Sequence, residues 1–425
     1  MLVLPISITI GSAVAFFLWL LNGAIDFRFH HNWLLYLLPV GGLLIHFIYQ
    51  TIGKSSEKGN NLVFEQIQNN GGNVPTRMAP IILIATVITH LFGGSAGREG
   101  TAVQIGGSIA AIFGRWFRLK GIDMRMFLTA GVAAGFGAVF GTPLTGAIFA
   151  LEVLTIGSIK YDALLPALIA SIIGDATVAA WKVQHMHYQI DGISQTPIEV
   201  SRLFHLDILL LVKVLVASAC FGLVSYLFAI LLHKFKSFCL HLFKQKWIIP
   251  VLGGLVIIGL TVLLGKPDYL SLGVDAEYPG AVTIHSAFHE GGADSWSWFW
   301  KTIYTTVTLG TGFKGGEVTP LFYIGATLGN TLSGLLNAPV SLFAALGFIA
   351  VFSGATNTPL ACTFMGLELF GCEHTLLFAV ACFTAYFFSG HASIYNAKAS
   401  LPESMKRRGY VFQKLSKYTL SFKKS

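Results

Sequence analysis

The stretch GGSAGREGTAVQIGGSIA, residues 93–110, places the adjacent charges Arg98 and Glu99 in a run of glycines between two apolar segments. Charged side chains inside a bilayer are costly, and those that occur there are functional candidates by default. A glycine-rich loop that leads into an apolar helix also creates a helix N-terminus, whose free N–H groups and positive dipole end attract anions. The stretch therefore predicts a small-anion site inside a membrane protein.

The rest of the chain is apolar enough to place this stretch in a bilayer. Of its 425 residues, 54% are hydrophobic and 11% are charged, whereas soluble domains carry about 25% charged residues. Apolar runs recur at residues 4–21, 33–49, 79–92, 126–140, 143–156, 163–181, 206–232, 247–265, 318–336, 340–352 and 374–389. Some approach the ~20 residues that a spanning helix needs, and the shorter runs are typical of broken helices that line a buried site. The composition predicts an all-α polytopic membrane protein, with the first run as a span rather than a signal peptide.

Charge and cysteine usage add further expectations. The basic clusters, which include Arg115–Arg125, Lys234–Lys246 and the tail 401–425, fall between or after spans and are expected on the cytoplasmic side. The tail is interpreted as contacting lipid headgroups rather than nucleic acid. The spacing of the five cysteines indicates packing rather than a disulfide framework or a metal site, and no cofactor is predicted.

Two sets of motifs recur in the same order. Pro143 and Glu152 of GTPLTGAIFALEVL return 216 residues later as Pro359 and Glu368 of NTPLACTFMGLELF. A second set returns 218 residues later: Gly97, Glu99, Thr101 and Gly107 as Gly315, Glu317, Thr319 and Gly325. The chain is interpreted as a tandem duplication of residues 1–195 and 205–400, with a linker at 196–204. Such repeats often have inverted topology, with the substrate between them near the bilayer midplane.

Glu99 has a chemical interpretation at a buried helix start. When ionised, its carboxylate can occupy the anion's site, and when protonated it can withdraw, so that it links anion passage to proton transfer. The alternative is an ordinary capping glutamate. Glu317 of GTGFKGGEVTPLFYI has the same two interpretations, whereas Arg98 is read as balancing the local charge. Glu152 and Glu368 are read as structural hydrogen-bond acceptors or helix-end groups.

Two other stretches offer hydrogen-bond donors to an anion. KGNNLVFEQIQ places Asn60 and Asn61 at the start of a short helix, where their amides either bind the anion or cap the helix. SGHASIYNAK carries Tyr395, whose hydroxyl is a donor and whose ring is alternatively an interfacial aromatic.

The motifs GREGT and GGEVTP, followed by the late tyrosine, resemble the CLC family of chloride channels and transporters. The resemblance covers nearly the whole transmembrane part. It implies a CLC-type fold with two inverted-topology repeats, whose broken helices meet at a central anion site. It also implies a homodimer in which each subunit has its own anion pathway.

The chain departs from the common CLC pattern in several places. Gly59-Asn60-Asn61-Leu62 stands where most members have a Gly-Ser-Gly-Ile-Pro motif, and Thr101 stands where their gating motif ends in proline. GGEVTP lacks their phenylalanine, and Val153 stands where chloride exchangers carry an inner proton glutamate. This set of changes, together with Met78 in VPTRMAP, resembles the fluoride-exporting bacterial branch of the family.

That resemblance implies a fluoride/proton antiporter of the bacterial inner membrane, with a cytoplasmic C-terminus. Glu99 would be the external gate and proton carrier, and Glu317 would replace the missing inner glutamate. The residues expected around the anion are Asn60, Asn61, Met78, Gly97, Arg98, Gly100, Thr101, Val318, Thr319 and Tyr395. Met78 is alternatively a packing residue.

Two other functions are weighed against this one. A chloride channel or chloride/proton exchanger of the same family is the nearer alternative: Val153 favours a channel, whereas Glu317 and the GNNL stretch favour the antiporter. An enzyme or receptor is disfavoured, because the sequence has no Walker loop, no HExxH motif and no paired Cys/His spacing.

Overall fold

The computed structural model describes residues 2–154, 159–185, 190, 207–390 and 392–395. Across these residues the regular elements are fifteen α-helices and four short 3₁₀ helices. The α-helices are α1 Val3–His30, α2 Leu38–Thr51, α3 Asn60–Gln68, α4 Met78–Leu91, α5 Glu99–Trp116, α6 Gly121–Phe140, α7 Pro143–Glu152, α8 Leu164–Ala180, α9 Ile208–Leu242, α10 Ile248–Leu264, α11 Ser297–Gly310, α12 Val318–Leu336, α13 Val340–Thr356, α14 Pro359–Phe370 and α15 Thr375–Phe388. The 3₁₀ helices are Asn32–Leu37, Lys54–Ser56, Tyr161–Ala163 and Ser286–Phe288.

The helices have the lengths and the surface of a polytopic membrane protein. Five helical segments are long and apolar enough to cross a bilayer: Val3–His30, Asn32–Thr51, Gly121–Phe140, Tyr161–Ala180 and Ile208–Leu242. Six shorter apolar helices of 10–17 residues accompany them. The outer surface is apolar, with Trp19, Leu263 and Leu335 exposed by 66%, 78% and 77%. The predicted all-α polytopic class is confirmed.

The order of helices repeats along the described chain. In each half, a helix that follows a glycine-rich loop (α5 or α12) leads to a buried helix (α6 or α13) and then to a short helix that begins at proline (α7 or α14). The buried helices end alike, because Gly141 and Asn357 both adopt the left-handed conformation, with φ of 71° and 59°. The repeat boundaries at 1–195 and 205–400 stay a prediction, since the linker 196–204 and the tail 401–425 lie outside the described residues.

Glycines allow the central helices to pack backbone against backbone. A Cβ atom on Gly106 of α5 would overlap the carbonyl oxygen of Gly131 on α6. In the other half, a Cβ atom on Gly325 of α12 would overlap the carbonyl oxygen of Gly347 on α13. Small residues of this kind let membrane helices approach closely. Both helices with buried starts, α5 and α12, are therefore held deep in the protein.

Reciprocal carboxylate caps join the two halves. Glu152, the last residue of α7, accepts the N–H groups of Leu360 and Ala361 at the start of α14, at 3.0 and 2.7 Å. Glu368 of α14 accepts the N–H and hydroxyl groups of Thr145 near the start of α7, at 2.8 and 2.6 Å. Each carboxylate thus satisfies donors that the first turn of a helix leaves free. This geometry agrees with the structural role expected for both residues.

The apolar runs did not predict α11, which contains Lys301 and four threonines. The hydroxyls of Thr302, Thr308 and Thr311 donate to carbonyls of their own helix, so a polar composition is compatible with burial. The run predicted at 206–232 is also too short, because α9 continues through a basic segment to Leu242.

Candidate functional site

A two-way backbone bridge brings the starts of α5 and α12 together. The Gly97 N–H donates to the Gly316 carbonyl at 2.6 Å, and the Gly316 N–H donates to the Gly97 carbonyl at 2.7 Å. A Cβ atom on Gly316 would lie 2.8 Å from Oε2 of Glu99 and 2.9 Å from the Gly100 nitrogen. Glycine is required here because any side chain would collide with the residues that begin α5.

The Glu99 side chain lies at the start of the helix of the other half. Glu99 is 1% exposed, and its Oε2 accepts the Thr319 N–H at 3.2 Å and the Arg98 N–H at 3.1 Å. Its Oε1 accepts the hydroxyl of Thr319. Both groups of Thr319 belong to the first turn of α12, where N–H groups and the helix dipole favour negative charge. Glu99 therefore does more than cap its own helix.

Buried polar atoms without partners surround the bridge. Oε2 of Glu317, Oδ1 of Asn60 and Oε1 of Gln104 are buried and have no hydrogen-bond partner among the described residues. Gly100 lies between Asn60 and the bridge, since a Cβ atom there would lie 2.9 Å from the Asn60 amide nitrogen and 3.2 Å from the Cα atom of Gly316. Unpaired buried polar groups are rare in proteins, so a cluster of them indicates a place for an ion or water.

The short helix α3 presents Asn60 to this cluster. Its N-cap residue is Gly59, with φ of 57°, and no side chain caps it. Asn60 is buried, whereas Asn61 is half-buried. The ring of Tyr395 packs edge-to-face on Phe64 of the same helix, with 5.1 Å between ring centroids. The Oδ1 atom of Asn60, which could accept an N–H group of the first turn, has no such partner among the described residues.

The remaining predicted residues have distinct surroundings. Val318 begins α12 and is 1% exposed, next to Thr319. Thr101 is buried, but its hydroxyl lies 2.6 Å from the hydroxyl of Thr86 on α4 rather than against Glu99. Met78 begins α4 and lies in the hydrophobic core. The contacts join Gly97, Arg98, Glu99, Gly100, Thr319 and Asn60 directly, and they do not place Thr101 against the carboxylate.

A cavity lies next to the Glu99 carboxylate, because Arg98 and Thr319, whose N–H groups bind that carboxylate, line the cavity. Its other lining residues are Phe140, Val274, Ile284, Phe322, Phe348 and Leu369. Phe322 and Phe348 stack with centroids 3.8 Å apart and an interplanar angle of 12°. Nε of Arg98 is buried with no hydrogen-bond partner in the described part of the chain. The lining therefore combines one cationic side chain and one hydroxyl group with aromatic and aliphatic side chains.

Four residues near the site were missed from the sequence: Thr86, His90, Gln104 and Lys301. Gln104 is the one amide on the otherwise apolar turn AVQIGG, and Lys301 is the one charge in WFWKTIYTT. A lone amide in an apolar turn would have identified Gln104, and a lone charge in its helix would have identified Lys301. Thr86 and His90 carry no comparable signal, because threonine and histidine are common near helix ends and in helix cores.

Comparisons with known proteins agree with this architecture. The family model described as voltage gated chloride channel matches residues 41–390. A chloride/fluoride channel protein of Pseudomonas syringae pv. tomato is 45% identical over 394 residues, which cover 92% of this chain and 84% of that protein.

Solved structures show the same fold. The crystal structure of a CLC-type fluoride/proton antiporter superposes with a TM-score of 0.85 and 36% identity, covering 94% of this chain and 96% of that one. A slow cyanobacterial Cl⁻/H⁺ antiporter superposes with a TM-score of 0.75 and 19% identity, covering 96% and 98%, and supports the fold alone. With its paired helix starts, its repeated motifs and these matches, the chain belongs to the CLC family of voltage-gated chloride channels.

Proposed function

We propose that the protein is a fluoride/proton antiporter that exports fluoride from the cytoplasm. The observation that carries this proposal is the position of the Glu99 carboxylate, which accepts the N–H and O–H groups of Thr319 at the start of α12. A small anion needs donors of this kind to replace its lost water. Support also comes from the name of the Pseudomonas relative and from the fluoride/proton antiporter structure.

The carboxylate and fluoride would compete for the same donors. When Glu99 is ionised it holds the Thr319 groups, and when it takes a proton and withdraws, those groups are free for fluoride. Occupancy by one negative group at a time links the movement of protons to the movement of fluoride in the opposite direction. Glu317, with its unpaired buried oxygen, would exchange protons on the inner side of the site. Asn60 and Tyr395 would supply further donors. The hydroxyl of Tyr395 is a donor, and the side-chain amide of Asn60, turned by 180°, presents its N–H groups.

The surroundings of the protein complete the proposal. It would act as a homodimer in the bacterial inner membrane, each subunit with its own pathway and its C-terminus in the cytoplasm. The basic segment that ends α9, with Lys234 and Lys236, would then lie at the cytoplasmic face.

A chloride channel or chloride/proton exchanger of the same family is the second candidate. The observation that favours a channel is Val153, a buried apolar residue directly after Glu152, where chloride exchangers carry a proton-transferring glutamate. The two candidates differ in anion selectivity and in proton movement, which a single transport experiment measures together.

Proteoliposomes loaded with equal fluoride and chloride test the proposal, with ion-selective electrodes outside and a pH indicator inside. We expect fluoride to leave selectively and to drive protons inward. The Glu99→Gln variant should keep fluoride passage and lose proton movement, because the amide cannot carry the proton. The Glu65→Gln variant is the control, since Glu65 lies on the solvent-facing side of α3 in an ion pair with Lys58. Equal chloride efflux without proton movement would establish the channel instead.

A further inference from the structure

Lys301 is a completely buried lysine that the proposed transport cycle does not use. Its ammonium donates to the carbonyls of Tyr269 and Ser271 at 3.1 and 2.8 Å and approaches that of Leu270 at 3.4 Å. The ammonium also lies 5.1 Å from the centre of the Tyr323 ring. Among the described residues it forms no ion pair, so carbonyl dipoles and one aromatic ring stabilise the buried charge.

The carbonyl contacts hold Ser271 in an unusual backbone conformation. Its φ angle is 48°, in the left-handed region that residues other than glycine adopt rarely. Such a conformation persists where the surrounding structure over-determines it. Lys301 supplies that restraint, and as a result the Ser271 hydroxyl points to the end of α4.

His90, near the end of α4, connects Ser271 to the anion site. Its Nδ1 lies 2.9 Å from the Ser271 hydroxyl, and its Nε2 lies 3.4 Å from the carbonyl oxygen of Gly97. A carbonyl can only accept, so Nε2 carries the hydrogen and Nδ1 accepts the Ser271 O–H. These two contacts fix the tautomer of the ring, which is completely buried.

The contact with Gly97 reaches Glu99 through one peptide group. The Gly97 carbonyl accepts from His90 and from the Gly316 N–H, and the N–H of the same peptide, on Arg98, donates to Oε2 of Glu99 at 3.1 Å. A peptide whose carbonyl accepts hydrogen bonds is polarised and becomes a stronger donor. The contacts from His90 and Gly316 therefore strengthen the bond to the ionised carboxylate.

We propose that Lys301, Ser271 and His90 form a positioning relay that aligns the Gly97–Arg98 peptide with Glu99 and thereby sets the pH at which Glu99 takes its proton. This inference rests on the proposed role of Glu99 as proton carrier. The relay favours the ionised carboxylate, so its loss makes protonation easier, and exchange becomes half-maximal at a higher pH.

Other charged and titratable groups surround the relay and the carboxylate. The groups that face Glu99 are Arg98 on its own loop, Glu317 at the start of α12 and Tyr395 after α15. Lys314 and Lys236 lie beyond Glu317. The groups that face His90 are Lys301, Arg28 and Arg98. A Ser271→Ala variant alters none of these charged or titratable groups, so a shift in its pH profile reports the relay alone.

The test is the rate of fluoride efflux from proteoliposomes as a function of pH. His90→Leu and Ser271→Ala should each raise the pH of half-maximal exchange by roughly half to one unit, the size expected for weakening one hydrogen bond to a charged group. His90→Gln, whose amide can both donate and accept, should restore the wild-type profile. Thr302→Ala is the matched control, because Thr302 is 1% exposed next to Lys301 and, within the described part of the chain, its hydroxyl donates only to the Trp298 carbonyl of its own helix. An unshifted His90→Leu profile, or an equal shift in Thr302→Ala, would overturn the relay.

Combination with Glu99→Gln separates this inference from the proposed function. In that background the effect of His90→Leu on the pH profile should disappear, because no titrating carboxylate remains for the relay to act on. Full proton coupling in the Glu99→Gln single variant would contradict the proposed function. If Glu99→Gln loses proton coupling but the pH profile of His90→Leu is unshifted, the relay is contradicted and the proposed function is not. Lys301→Met should shift the pH profile as His90→Leu does. If the Lys301→Met variant does not fold, the His90 and Ser271 variants decide whether the relay exists.

Discussion

At the scale of single residues, the central feature is that Thr319 donates hydrogen bonds to the carboxylate of Glu99, which belongs to the other half of the chain. Thr319 offers two donors at a helix start, its N–H and its hydroxyl, and Glu99 takes both. Donors of this kind are worth more to a charged acceptor than to a neutral one. Thr319 should therefore decide how strongly any anion is held once Glu99 has left.

Fluoride binding to a Glu99→Gln protein measures this contribution without competition from the carboxylate. Adding Thr319→Val removes the hydroxyl, and the fluoride dissociation constant should rise roughly ten- to a hundredfold, because a hydrogen bond to a charged group contributes about 1.5–3 kcal/mol. Isothermal titration calorimetry gives the constants. Thr319→Ser keeps the hydroxyl and should bind nearly as Thr319 does, and equal affinity of the valine variant would remove Thr319 from the site.

At the scale of helices, the reciprocal caps bind α7 and α14 to each other. Glu152 of α7 accepts N–H groups in the first turn of α14, and Glu368 of α14 accepts an N–H group in the first turn of α7, so the contact is reciprocal. Inside a bilayer, water is not available to replace a lost acceptor, and unsatisfied N–H groups are costly. The caps should therefore matter for stability more than for the chemistry of transport.

Replacing either cap by alanine should lower the free energy of unfolding by about 1–3 kcal/mol, the cost of leaving a buried donor unpaired. The double variant should lose less than the sum, since both caps hold the same pair of helices. Thermal unfolding in detergent measures both effects, and proton coupling of the surviving protein should be unchanged. Glu373→Ala is the control, because Glu373 is exposed just beyond α14. Additive losses would show that the two caps act independently.

At the scale of the whole molecule, two similar sets of helices contact each other through α7 and α14, and the starts of α5 and α12 lie side by side. Glycine contacts between α5 and α6, and between α12 and α13, hold this arrangement without large side chains. The bridge between Gly97 and Gly316 then joins the two sets at the proposed anion site. A ligand bound there would touch both halves and would stabilise the folded protein as a unit.

Fluoride should therefore raise the unfolding temperature of the purified protein. A ligand that binds only the folded state at a hundred times its dissociation constant adds about 2.7 kcal/mol to the free energy of unfolding. Thermal scans in fluoride, in chloride and in a large inert anion at equal ionic strength measure the effect. We expect stabilisation by fluoride well above that by chloride. Equal stabilisation by chloride would favour the channel alternative.

Much of the local structure follows from the sequence, because it depends on neighbours in the chain. The apolar runs predict most of the helices, the prolines at 143, 320 and 359 lie in the first turns of helices, and glycine-rich loops precede the buried helix starts. The offset motifs likewise indicate duplication, since a repeat is a property of residue order. Glu99 and Glu317 are identifiable because a carboxylate in an apolar context needs an explanation of its own.

What joins distant parts of the chain was decided only by the tertiary structure. Glu99 meets Thr319 across 220 residues, His90 meets Ser271 across 181, and Glu152 meets Ala361 across 209. No periodicity records such pairings, because they depend on how closely glycine-bearing helices approach and on which buried donors then lack an acceptor. The sequence thus indicated which residues are candidates for the chemistry, and the packing of the two halves decided which partner each of them has.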